Sequence, residues 1–184
     1  MMEPFKGISD PVVAHVISSA ASADEKNDNP EYVGWYKFDL GSSTTVKMAT
    51  VSNGDAHEML KTTKLIEKAA EKLVFEVTLS FVFPGRRYDS PTIKWDVPKK
   101  FGMPNASKPD KLKIEEGTET LTIGGAELNC KWAWWSAEIA GVESESKIWI
   151  CDEVPGRLAK VDTNYAVGNA PVNFKLDLIE FKKA

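Results

Sequence analysis

The sequence predicts a mainly β protein: a strongly curved antiparallel meander or half-barrel of about nine or ten strands with an N-terminal helical arm. Three observations carry this. Lys72 to Phe83 alternates with period two, placing Leu73, Phe75, Val77, Leu79, Phe81 and Phe83 on one side, as a half-buried antiparallel strand requires. Turn pairs recur along the chain, at Asn53-Gly54, Pro84-Gly85, Gly124-Gly125 and Pro155-Gly156. The segment Gly117 to Thr163 reads as four successive strands, and it holds both cysteines and four of the six tryptophans.

The elements follow in order. Residues 1–30 form an arm in which Pro11 to Ala23 is predicted as a short helix, with Asp10 as cap and Pro11 in the first turn. Asp24 to Pro30 is polar and turn-forming. Residues 31–184 form a single antiparallel β domain. Tyr32 to Leu40 is aromatic and reads as its first strand. Thr44 to Ser52 places Val46 and Met48 on one face, and Asn53-Gly54 turns the chain into a strand over Glu58 to Glu67. Ala69 to Glu71 is a turn, followed by the alternating strand from Lys72. Thr92 to Val97 is a short strand confined by Pro91 and Pro98, and Phe101 to Pro109 is a loop. Lys111 to Ile123 is a strand with a bulge expected at Gly117, closed by Gly124-Gly125.

Two strands change phase. In Glu127 to Ile139 the apolar set moves from Leu128, Cys130, Trp132 and Trp134 to Trp135, Ala137 and Ile139. In the last strand it moves from Val172, Phe174, Leu176 and Leu178 to Ile179 and Phe181. A one-residue slip of this kind predicts a bulge, and two of them predict curvature rather than a flat sandwich.

Size and charge exclude several classes. A chain of 184 residues buries enough surface to fold without a covalent staple. A net charge of −4 and scattered lysines give no footprint for nucleic acid. No run approaches the ~20 apolar residues of a membrane-spanning helix. The start lacks the basic region of a secretory leader, and its doubled Met reads as an added initiator that would conceal any leader upstream. The compartment is therefore open: periplasmic or secreted if a leader has been removed, otherwise cytoplasmic. The cysteines are expected to be reduced. With the hairpin closed near Gly141 to Ser144, Cys151 falls opposite Trp134, leaving Cys130 roughly 13 Å along the strand, beyond the ~7 Å Cα separation a disulfide tolerates.

No catalytic, metal or cofactor site is predicted. The two histidines, His15 and His57, lie in different elements, and no Cys-x-x-Cys or Gly-x-Ser-x-Gly pattern is present. A Cys–His pair remains open at this level. Asp152-Glu153 and Glu115-Glu116 are strand neighbours that point to opposite faces.

Two features stand out. Trp132 and Trp134 share a face and Trp149 lies on the next strand, a large apolar surface suited to an apolar ligand or, alternatively, to a packed core. Glu153 to Arg157 contains the Pro-Gly centre of a type II turn, predicting a fixed corner that exposes Asp152, Glu153 and Arg157 for recognition.

The segments GTETLTIGGAELNCKW and SKIWICDEVPGRLAKVD resemble β-rich bacterial proteins of unknown function found in planctomycete-type genomes. In that pattern a serine stands where this chain has Cys151. More distantly, the strand pattern is similar to lipoprotein-carrier folds, in which a curved antiparallel sheet holds acyl chains against helices. The latter resemblance implies a periplasmic setting. Together these readings predict a non-enzymatic module that binds an apolar small molecule or a lipidated protein on its concave face, with no nucleic-acid partner and no transmembrane segment. The alternatives are an interaction module with a filled core, or an enzyme.

Overall fold

The computed structural model describes residues 27–52, 54–83, 85–101, 111–139, 142–167 and 170–184. The helix expected over Pro11 to Ala23 and His15 lie outside these residues, as does the loop expected over Phe101 to Pro109 except for Phe101, which is in a strand. The first described element is β1 (Asn27–Asp28), which pairs with β7 (Lys100–Phe101). Between them the chain forms one short helix, α1 (Pro30–Tyr36), and five strands: β2 (Ser43–Ser52), β3 (Asp55–Lys68), β4 (Lys72–Phe83), β5 (Arg86–Asp89) and β6 (Ile93–Pro98). Five more follow: β8 (Lys111–Ile123), β9 (Ala126–Ile139), β10 (Val142–Ile150), β11 (Leu158–Val167) and β12 (Ala170–Lys182).

Ten strands make one curved, unclosed antiparallel sheet in the order β5-β4-β3-β2-β12-β11-β10-β9-β8, with β6 also paired to β4. The sheet is two meanders, β2 to β6 and β8 to β12, joined where β12 pairs with β2 (Leu176 opposite Met48). This is the fold class expected from the alternation and the turns.

The predicted strand at Tyr32 to Leu40 is instead helix α1. Its YVGWY composition favours a strand, but the N-terminus is built for a helix. The Asn29 side chain accepts the Glu31 N–H, Pro30 occupies the first turn, and Glu31 places an acid there. Tertiary packing completes the override: Tyr32 and Trp35 are buried with Leu65, Leu73, Phe75 and Val97. The Trp35 and Phe75 rings meet edge-on at 5.0 Å.

One of the expected bulges is present. Register shifts between Leu178 and Glu180, leaving Ile179 42% exposed beside the bulge. The bulges expected at Gly117 and at Trp134-Trp135 are absent, since β8 and β9 pair without a break from Lys111–Glu138 to Ile123–Ala126. Gly117 serves close packing instead: a Cβ there would lie 2.6 Å from Cζ2 of the Trp132 indole, which covers it. The apparent slip at Trp135 arises because both faces of β9 carry apolar residues. Ala133, Trp135 and Ala137 occupy the side opposite Trp132 and Trp134.

The cysteines form a disulfide, contrary to expectation. The β9–β10 turn is tighter than the sequence suggested, with Val142 opposite Ile139, and Ile150 consequently lies opposite Lys131. Moving the hairpin centre by two residues moves each partner by four. Cys151 then stands across from Cys130, with a Cα separation of 4.4 Å. The bridge is buried among Ile123, Leu128, Trp149, Val154, Ala159 and Leu178.

In β4, Leu73, Phe75 and Val77 are buried as the alternation predicts, but Val74 between them is buried as well, and further along Ser80 is buried while Phe81 is only partly so. Phe83, beside the outermost strand, is exposed. The short β5, absent from the sequence reading, forms that edge together with β6.

Candidate functional site

A cleft of about 490 Å³ lies on one face of the sheet beneath α1 and the segment following Cys151. Its floor is laid down by register. Met48 pairs with Leu176, Leu176 with Val161, and Val161 with Ile148, so an apolar row crosses β2, β12, β11 and β10. Val46, Ile150 and Trp135 extend this floor. The roof is Pro30, Glu31 and Trp35 of α1 with Pro155, Gly156 and Arg157.

Two glycines allow the parts of the roof to touch. The Gly156 N–H donates to the Gly34 carbonyl at 3.2 Å. A Cβ on Gly34 would lie 2.9 Å from the Gly156 oxygen, and one on Gly156 would lie 2.5 Å from Nε1 of Trp35. Gly156 also has φ +78°, and Arg157 N donates to Val154 O at 2.8 Å, which matches the type II turn predicted from Pro155-Gly156. A further bond, Cys151 N to Arg157 O at 2.8 Å, closes the corner onto the disulfide. The Lys37 ammonium donates to the Asp152 carbonyl and ties the helix end to the same corner.

The corner differs from the expected arrangement at one residue. Asp152 and Glu153 are exposed, but Arg157 is buried, at 9% exposure, and lines the cleft. Its Nε donates to Asp152 Oδ1 at 2.8 Å, and its backbone lies at φ +64°. The turn geometry directs this side chain under the corner rather than out from it.

The polar part of the cleft is small. Thr44 and Thr63 face each other across β2 and β3, and Lys61 stands opposite Val46 one row away. Glu31 lies above. Crowding by protein atoms pushes its carboxyl pKa above the usual carboxylate range, and the Lys61 charge pulls it back. Glu31 keeps more than a third of its own surface open to water, so solvent screens both effects.

Trp132, Trp134 and Trp149 are brought together, but on the other side of the β9–β10 hairpin from Trp135, Ile148 and Ile150. Lys147 Nζ lies 4.2 Å from the Trp132 ring centre and 4.5 Å from that of Trp149. Lys113 Nζ lies 5.2 Å from Trp134. Trp149 Nε1 donates to Glu119 Oε2 at 2.7 Å. The cleft is lined by Trp35 and Trp135 instead. Sequence reasoning misses both: Trp35 sits in a segment whose composition favours a strand, and Trp135 stands at the apparent phase slip of β9. The signals were present as Asn29-Pro30-Glu31, a helix start, and as the second alternating set Ala133, Trp135 and Ala137.

Both thiols are committed to the disulfide, which removes the Cys–His alternative. His57 is exposed on β3. Among the described residues, no group of three or more His, Cys, Asp or Glu is placed to hold a metal ion. No helix among them is long and apolar enough to cross a membrane.

No family model and no curated protein matches this sequence. Solved structures do match. The hypothetical lipoprotein YmcC from Escherichia coli aligns over 94% of this chain and 100% of its own, at 10% identity and a TM-score of 0.29. A DUF1329 family protein from Desulfovibrio piger aligns over 95% of this chain and 94% of its own, at 9% identity and a TM-score of 0.28. Neither of these two bears on the resemblance to planctomycete-type proteins.

Proposed function

We propose that this protein is a non-enzymatic module that binds an apolar ligand, or the acyl group of a lipidated partner, in the cleft beneath α1. The observation that carries the reading is the cleft itself. About 490 Å³ is floored by Val46, Met48, Leu176, Val161, Ile148 and Ile150 and flanked by Trp35 and Trp135. That volume and an apolar lining with a few convergent polar groups are the properties of small-molecule sites. The roof meets the floor through one small helix and one corner, so a chain-like ligand has an open side by which to enter. A buried disulfide suits an oxidising compartment, which favours the periplasmic or secreted setting.

The test is a titration with dodecanol, followed by tryptophan fluorescence, on the full chain and on Leu176→Arg. Saturable binding by the former and its loss in the folded variant support the reading. No spectral change with dodecanol or with a hydrocarbon-like dye refutes it.

A second reading, an interaction module, rests on a different place. Phe83, Tyr88, Ile93 and Trp95 are all exposed at the β5–β6 edge of the sheet, and exposed apolar edges recruit partners. The corner acids Asp152 and Glu153 offer a further contact. This reading predicts self-association or partner binding that Tyr88→Lys abolishes and Leu176→Arg leaves intact. A strict monomer by light scattering counts against its dimeric form.

A further inference from the structure

The apolar cleft is not apolar throughout. Thr44 and Thr63 are each only 7% exposed, both line the cleft, and neither hydroxyl has a hydrogen-bond partner among the described residues. Buried hydroxyls are ordinarily satisfied, and leaving one unpaired is unfavourable. Lys61 stands one row away on the same face of β3, half-buried. It makes no hydrogen bond or ion pair among the described residues, and Glu31 across the mouth is the charge it feels. Two adjacent strands thus present two hydroxyls without a hydrogen-bond partner among the described residues, and an ammonium that no described residue hydrogen-bonds, at one end of a trough whose remaining floor is apolar.

From this we infer that the cleft takes an amphipathic anion: an alkyl chain lies along Val46, Met48, Leu176 and Val161, and its oxyacid head sits on Thr44, Thr63 and Lys61. The inference rests on the cleft reading above and adds the head group. Oxygen acceptors suit all three donors at once. The hydroxyls donate to an anionic oxygen, and the ammonium supplies both charge and hydrogen bonds. A cationic head would meet the Lys61 charge, and a plain alcohol would bring that ammonium no counter-charge of its own. Glu31 is the natural competitor for Lys61 in the unliganded protein. Its exposure to water makes it a weak one.

Calorimetric titration of the full chain with four probes of equal chain length tests this. The probes are dodecanoate, dodecyl phosphate, dodecanol and dodecyltrimethylammonium, all kept below their micellar concentrations. The two anions are expected to bind about tenfold or more tighter than the alcohol or the cation, the scale of a charge-assisted hydrogen bond. Lys61→Met should remove that preference, Lys61→Arg should keep it, and Thr44→Val should reduce it. Preference for the carboxylate over the phosphate would identify a fatty acid as the source, and the reverse a phospholipid. Equal binding of dodecanoate and dodecanol overturns the inference and leaves the apolar cleft standing. Binding of none of the four overturns the cleft reading, and this inference with it. Should Lys61→Met fail to fold, the head-group preference of the unmutated protein decides the matter alone.

Discussion

Replacing Gly156 by alanine attacks the contact that holds the roof of the cleft together. Two penalties act on the new side chain. The residue sits at φ +78°, where an L-residue costs about 1–2 kcal/mol. Its Cβ would also stand 2.5 Å from Nε1 and 3.0 Å from Cε2 of Trp35, a ring already fixed edge-on against Phe75. Forcing the indole or the corner aside is an overpacking strain of about 1–3 kcal/mol. Together the substitution should destabilise by about 2–5 kcal/mol. Gly125→Ala supplies the control. That residue has φ +83° and nothing within 4 Å of the added carbon, so it meets the conformational penalty alone. Urea unfolding of both variants, read as midpoints at constant slope, separates the two terms. A Gly156→Ala loss no larger than that of Gly125→Ala would refute the helix–corner contact as a packing constraint.

Other consequences follow from the same geometry. Cys130 and Cys151 are 21 residues apart, so the Cys130→Ala, Cys151→Ala double variant should lose about 3 kcal/mol by the loop-entropy relation, measured by urea unfolding. Identical midpoints would contradict it, as would titratable thiols in the native protein. Gly117→Ala should cost about 1–3 kcal/mol by displacing the Trp132 indole. A native tryptophan emission spectrum with unchanged stability would count against that packing. Glu31 titrates above its unfolded value. Its contribution to stability is therefore full below the unfolded carboxylate pKa and is lost as pH rises through the higher folded pKa. Glu31→Gln should flatten the pH dependence of the unfolding midpoint in that window, and a carboxyl NMR titration placing Glu31 at or below the usual value would overturn it.

The alternation of Lys72 to Phe83 was legible because a half-buried antiparallel strand writes its period directly into the chain. So was the slip at Ile179, where the bulge leaves that side chain exposed. Helix α1 was not legible from composition. Seven residues carry too little periodicity to outweigh two tyrosines, a tryptophan and a valine, and Asn29 capping plus the docking of Trp35 on Phe75 decide the outcome. The disulfide was hidden by a small error with a large lever arm: closing the β9–β10 hairpin two residues late moved Cys151 four residues from its true partner. The cleft was hidden for a related reason. Trp132, Trp134 and Trp149 advertise themselves by number and spacing, yet the trough is floored by ordinary residues of four strands that only the β2–β12 pairing brings into one row. Thr44, Thr63 and Lys61 carry no motif at all, and their proximity exists only in the register of β2 against β3.

The most direct test of the cleft as the binding site is NMR on protein labelled at the methyl groups of Met, Leu, Val and Ile and at the tryptophan rings, titrated with dodecanoate. The account predicts saturable shifts at Met48, Leu176, Val161 and Ile148, with the aromatic resonances of Trp132 and Trp149 unmoved. Shifts confined to the Trp132–Trp149 side, or the absence of any saturable shift, would contradict it.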